Sequence, residues 1–377
     1  MNTRLANPYI VGAPLARGYG FYGREDVFQF VADTLAVPAQ NVIVLYGQRR
    51  IGKTSLLHQL MTRTGEGFHA VLFDLQGKGQ HDLPALLRDL SSAIARSLKL
   101  PTPDPVVFDP STLLRAGPST LPRAGSGGEP FHELFLPEVF AALGSRRLLI
   151  LFDEFDVLSD ESSSGDDLAG SQLFGFLRNW LEQDARLACV FVVGRRLDEL
   201  PIHYRSLFKQ AAFRRISVLP RHEAIQLITQ PVAGEFSYSP EAIDAILDLT
   251  SGHPYLTQLI CHVIYKRLLA TPALSGAEGP RRTVETDDVR DCLDEAMELG
   301  AGGLDWFWEG LPRAERIMLS ALAETLRAAP PPSGSSRSDG GRERGAGGGP
   351  NGKMPPSARE DEVLHTLNRH RVRLLGV

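Results

Sequence analysis

Between residues 40 and 220 short, nearly continuous apolar runs alternate with stretches in which apolar positions recur every three or four residues. Continuous runs of this length mark strands buried on both faces, and their alternation with helical patterns predicts a parallel sheet with crossover helices. Five strands are expected, at 41–46, 70–75, 148–153, 189–193 and 215–218, the first four rich in Val, Leu, Ile and Phe. From about residue 221 only the helical period remains. Ser239, Pro240 and Glu241 supply an N-cap, a first-turn proline and a first-turn acid, and set Ile243, Ile246 and Leu247 on one face. A second amphipathic run carries Leu256, Leu259, Ile260, Val263 and Ile264; a third opens at Thr286 with Val289, Leu293, Ala296 and Met297 turned inward. Such stripes mean core packing, and no cofactor role is assigned to them.

Composition sharpens this picture in a few places. With 377 residues, 43% of them hydrophobic, the chain can bury more than one core. Three segments, 101–130, 159–171 and 328–358, are dense in Pro, Gly and Ser and are expected to be unstructured. Arg337, Arg342 and Arg344 in the last of them read as a solvated linker, and 359–369 reads as one more short helix. A formal net charge of -5 gives no global positive field toward nucleic acid or an anionic membrane. The apolar runs are far too short to span a bilayer and the N-terminus lacks an apolar signal core, so the chain reads as soluble and cytoplasmic, with no membrane partner. Cys189, Cys261 and Cys292 show no metal-ligand spacing and are expected as buried free thiols.

The strongest chemical signal is Gly47-Gln48-Arg49-Arg50-Ile51-Gly52-Lys53-Thr54, which fits G-x-x-x-x-G-K-[ST] between an expected strand and an expected helix at 55–61. Glycine at both ends lets the loop wrap until backbone N–H groups face phosphate oxygens, and the following helix, opening at Ser55, adds its positive end. Lys53 is expected to reach the β- and γ-phosphates and the Thr54 hydroxyl to ligate Mg²⁺. The strand at 148–153 ends in Asp153 and Glu154, an acid pair that is costly to desolvate without a cation. Asp153 is read as the second metal residue and Glu154 as the group that activates water beside the γ-phosphate, with Asp156 read as an exposed acid at the strand end or in a helix-start role. No Asn-Lys-x-Asp or Thr-Lys-x-Asp follows the later strands, which favours ATP over GTP.

These residues resemble the archaeal-type and signal-transducing ATPases with numerous domains (STAND), neighbours of the origin-recognition branch of the AAA+ proteins. Besides the loop and the acid pair, Phe21-Tyr22-Gly23-Arg24-Glu25 looks like the family's box before the first strand, with an upstream Asn-Pro-Tyr-Ile-Val segment at 7–11. Ser251-Gly252-His253-Pro254-Tyr255 is similar to the glycine-x-proline motif that opens a lid helix. The resemblance implies that Val11, Gly23, Arg24 and Pro254 lie around the nucleotide, and that an arginine after the fourth strand, Arg195 or Arg196, contacts the γ-phosphate. Arg205, Arg214 and Arg215 are weaker candidates for a finger acting across a subunit boundary, and His253 is read as structural.

The expected architecture is therefore α/β: a P-loop parallel sheet sandwiched by helices at 1–220, an all-α lid at 221–311, a disordered insert at 328–357, and a partial winged-helix-like part at 312–327 and 358–377. The resemblance implies a slow, regulated ATPase that uses ATP and Mg²⁺ as a conformational switch, read by a protein partner and compatible with homo-oligomers. Three other readings stand beside it. A nucleic-acid initiator or loader would need a complete winged helix to bind DNA, a P-loop kinase would need an acceptor other than water, and a nucleotide-bound scaffold would scarcely turn over.

Overall fold

The computed structural model describes residues 6–15, 20–37, 39–104, 131–159, 169–194, 204, 207–270 and 282–328. Its residues form two compact units, Met1–Leu299 and Gly300–Val377.

The first unit is built on a five-stranded, all-parallel sheet of β1 (Val42–Tyr46), β2 (Phe68–Asp74), β3 (Arg147–Asp153), β4 (Leu187–Val193) and β5 (Ala212–Arg215) in the order β2-β3-β4-β1-β5. Pleating sends alternate residues to opposite faces, and both faces are apolar. Ile43, Leu45, Leu149, Leu151, Val190 and Val192 pack on α1 (Glu25–Ala36) and α2 (Lys53–Arg63). Val42, Val44, Ile150, Phe152, Cys189 and Phe191 pack on α3 (Leu83–Leu98), α4 (Leu136–Leu143) and α5 (Ala169–Gln183). The sheet is thus sandwiched by helices, as the apolar runs imply.

Three local expectations shift. The fifth strand is Ala212–Arg215, three residues before the expected 215–218. It is an edge strand in which half-buried Ala212 and Arg214 alternate with exposed Phe213 and Arg215, so it lacks the continuous apolar run that marks the inner strands. The segment expected to be unstructured to residue 171 gives way to α5 at Ala169. Met297 is 60% exposed rather than turned inward, because the buried line runs Val289, Cys292, Ala296 and leaves Met297 outside it.

The remainder of the first unit is a helical part with its own core: α6 (Arg221–Thr229), α7 (Pro240–Thr250), α8 (Pro254–Ala270), α9 (Thr286–Asp291) and the start of α10 (Leu293–Glu309). Ser239 caps α7 as expected, its side chain accepting from the Ala242 N–H. A two-residue parallel pair, β6 (Ser237–Tyr238) with β7 (Thr283–Val284), joins it, a feature the helical period alone does not reveal. Residues 7–10 belong to this part and not to the sheet: Asn7 Nδ2 donates to the His262 carbonyl, the Ile10 N–H donates to Gln258 Oε1, and Tyr9 is buried with its hydroxyl on the Ile228 carbonyl.

The described residues of the second unit comprise the rest of α10 and α11 (Arg313–Ala328), the helix expected over 312–327. The residues named above at 337–344 and 358–377 lie outside the described residues. Among the described residues no helix is long and apolar enough to cross a membrane. Cys189, Cys261 and Cys292 are buried and free.

Candidate nucleotide site

Tyr46 ends β1 and Lys53 begins α2, so residues 47–52 must turn a buried strand into a helix within six positions. Gly47 permits this by contact: a Cβ there would stand 2.4 Å from the Ile216 carbonyl oxygen. Arg50 and Gly52 take left-handed backbone (φ 57° and 95°), and Gly52 is the N-cap of α2. A loop wound this way, ahead of a helix N-terminus, presents inward-facing N–H groups and a partial positive charge to an anion. Lys53 is 8% exposed, and its ammonium donates to the carbonyls of Gly47 (3.0 Å) and Gln48 (2.7 Å). Burial lowers its pKa, while Glu154, Asp156 and Asp153 act in the opposite sense.

Those three acids lie at and just beyond the carboxyl end of β3. Asp153, 3% exposed, hydrogen-bonds the Thr54 hydroxyl and accepts the Glu154 N–H at 3.0 Å. Burial nonetheless holds its pKa above the usual carboxylate range. Glu154 has φ 52°, a costly backbone for a non-glycine residue, and its pKa is raised by burial and then by Asp156, against the pull of Lys53 and Arg49. The adjacent oxygens of Thr54 and Asp153 suit a hard cation such as Mg²⁺, which keeps most of its waters and needs only one or two protein oxygens.

The other wall comes from the box and the helical part. Arg24, 7% exposed with φ 72°, donates from Nη2 to the Ile51 carbonyl (3.1 Å), inside the phosphate loop, and its N–H donates to Glu223 Oε2 of α6 (3.2 Å). Gly252 (φ 73°) passes so close to the Leu219 carbonyl that a Cβ would lie 2.5 Å from its oxygen, which fixes the start of α8 at Pro254. His253, in that turn, is buried and its pKa falls to about 4 through burial and then the charge of Arg24, with Lys53 adding to it. Tyr255 stacks beneath the Arg50 guanidinium, 4.5 Å from its ring centre. Val11 packs on the helical core, and Ser55 Oγ accepts the Leu15 N–H at 3.0 Å, so the N-terminal segment reaches from α8 to α2.

The structure therefore brings together Gly47, Gln48, Arg49, Lys53, Thr54, Asp153 and Glu154 with Arg24 beside them, and Pro254 stands between His253, which faces Arg24 and Lys53, and Tyr255, which meets Arg50. Arg195, Arg196 and Arg205 lie outside the described residues. Arg214 is paired with Asp26. Sequence reasoning missed Glu223, which carries no motif, and undervalued His253 and Asp156. Asp156 stands in the first turn of a 3₁₀ segment, Phe155–Ser159, as a helix-start role requires, but it is buried rather than an exposed acid at a strand end, and its Oδ1 accepts the Gly194 N–H at 3.0 Å, just past β4. The signal was present in the second acid two residues after Glu154.

Residues 20–193 match the AAA ATPase domain. The matched domain opens at the box, contains the phosphate loop and the acid pair, and closes on the last residue of β4. No curated protein matches the sequence significantly. Solved structures similar to this chain include the ORC2 protein of Aeropyrum pernix in ADPNP–ADP complexes, at 17% identity and TM-score 0.48, covering 84% of this chain and 76% of that one. The RuvB Holliday junction branch migration motor of Thermotoga maritima is similar at 14% identity and TM-score 0.45, covering 82% and 79%. Drosophila ORC bound to DNA is similar at 14% and 0.47, covering 85% and 71%. All three TM-scores lie below one half, and the fold assignment rests on the chain's own strand order.

Proposed function

We propose that the chain binds ATP and hydrolyses it, and that the cycle moves the helical part against the sheet as a STAND-type switch. The observation that carries this reading is the convergence of Lys53, Thr54, Asp153 and Glu154 beneath a phosphate loop whose Ile51 carbonyl is held by Arg24, itself bonded to α6.

In this reading the N–H groups of residues 48–54 and the Lys53 ammonium hold the β- and γ-phosphates. The Thr54 hydroxyl and the Asp153 carboxylate would hold Mg²⁺, which would supply positive charge against the phosphate oxygens. Glu154 orients the attacking water and takes its proton; a carboxylate made more basic by burial suits that task. Val11, Gly23 and Pro254 border the base and sugar. Arg195 or Arg196 supplies further positive charge at the γ-phosphate. Arg24, His253 and the Arg50–Tyr255 stack connect loop to lid, so a change in the loop alters contacts made by α6 and α8. A partner protein reads the lid's position.

The test is nucleotide titration of a chain labelled at exposed positions on α3 and α7, following both affinity and the distance between labels. Binding of Mg-ATP well above GTP, with different label distances in ATP and ADP, is the expected result. Equal distances in the two nucleotides would leave an ATPase without a switch, and no binding would remove the reading altogether.

A further inference from the structure

Asp156 has no part in the scheme above, yet it is buried at 7% exposure and lies two residues beyond Glu154, in the short 3₁₀ segment Phe155–Ser159. An anion is seldom buried without a donor, and one of its donors is a backbone amide: Oδ1 accepts the Gly194 N–H at 3.0 Å. Gly194 follows β4 directly. A Cβ there would lie 3.3 Å from Asp156 Oδ2, so glycine lets the carboxylate approach the chain this closely.

The sheet order gives this contact its meaning. β4 lies between β3, which carries Asp153, and β1, which leads into the phosphate loop. Tyr46 pairs with Val193, so Gly47 and Gly194 leave the sheet side by side. The turn after β3 is also held from below. Phe155 is fully buried within 4.6 Å of the Phe191 ring of β4, and its carbonyl accepts the Tyr204 hydroxyl at 3.0 Å. The Phe155 ring on Phe191 and the Asp156 carboxylate on Gly194 thus join the turn after Glu154 to β4 and its end at two points, and the Phe155 carbonyl adds a third anchor at Tyr204.

We infer that Asp156 is a positioning residue for hydrolysis: its carboxylate ties the end of β4 to the turn that carries Glu154, fixing that acid relative to the phosphate loop. The inference rests on the ATPase reading for its consequence, but not for the contact itself. It predicts that losing the tie misplaces Glu154 while leaving the phosphate loop able to hold nucleotide.

The experiment compares the full chain with Asp156→Ala and Asp156→Asn, measuring ATP affinity, steady-state phosphate release and amide hydrogen exchange over 187–194. Asp156→Ala is expected to lower kcat by about tenfold or more, since small misplacements of reacting groups cost this much, with ATP affinity changed less than about twofold. Its exchange at 192–194 should accelerate. Asn keeps an acceptor oxygen and should restore most of both. Unchanged exchange in Asp156→Ala overturns the tie, and unchanged kcat with faster exchange overturns the positioning role. If the wild-type chain binds ATP without turnover, the hydrolytic reading fails and so does the role in it, while exchange still decides the contact.

Discussion

A Cβ at Gly23 would stand 2.1 Å from Glu223 Oε2 and 2.9 Å from the Glu223 Cβ, so the box before the first strand and helix α6 meet without room for one methyl group. Gly23 also has φ 75°, which a side chain adopts only with strain.

Gly23→Ala is therefore expected to destabilise the first unit by about 1–3 kcal/mol, because both the backbone and the root of the Glu223 side chain must move. Urea unfolding checks it. A midpoint equal to wild type would mean that α6 yields freely at this contact.

Glu154 has φ 52°, so the residue proposed to activate water also stores backbone strain. Glu154→Gly removes that strain, worth about 1–2 kcal/mol, and returns about 0.5–1 kcal/mol of it through the freer unfolded chain. Unfolding should show stability equal to wild type or slightly higher, with phosphate release lost. A clear loss of stability would show that the Glu154 side chain holds the fold.

His253 has a folded pKa of about 4, below its ordinary 6.5, so the unfolded chain takes up its proton first as the pH falls. The stability linked to it is complete above pH 6.5 and is lost as the pH drops toward 4. Arg24 and Lys53 both face it and both oppose its protonation. From pH 7 to 5 the wild-type chain should lose about 2 kcal/mol more than His253→Asn, measured by unfolding at both pH values. Parallel pH profiles would contradict the burial of a neutral imidazole.

The legible parts of this molecule are those in which a local pattern suffices. The inner strands announce themselves because both faces are covered, and the phosphate loop because its glycines and Lys53 are contiguous. The Ser239 cap is readable for the same reason. What stayed hidden depends on contacts between distant segments. Glu223 matters because α6 meets Gly23, 200 residues away, and no spacing in the sequence reports that. Tyr9 and Ile10 bind α8 through hydrogen bonds that an apolar pattern does not record. The β5 boundary moved because an edge strand is covered on fewer sides and alternates accordingly. Asp156 was visible as an acid, but its bond to Gly194 needed the strand order that places β4 beside β3.

The central claim is that Lys53 holds the phosphates and Glu154 activates the water, and it is tested by ATP binding and phosphate release for wild type, Lys53→Ala and Glu154→Gln. The account predicts Mg-dependent turnover in wild type. Lys53→Ala should bind ATP at least about tenfold more weakly, and Glu154→Gln should keep tight Mg-ATP binding with turnover reduced by about 100-fold or more. Turnover that survives Glu154→Gln, or ATP affinity unaffected by Lys53→Ala, would contradict it.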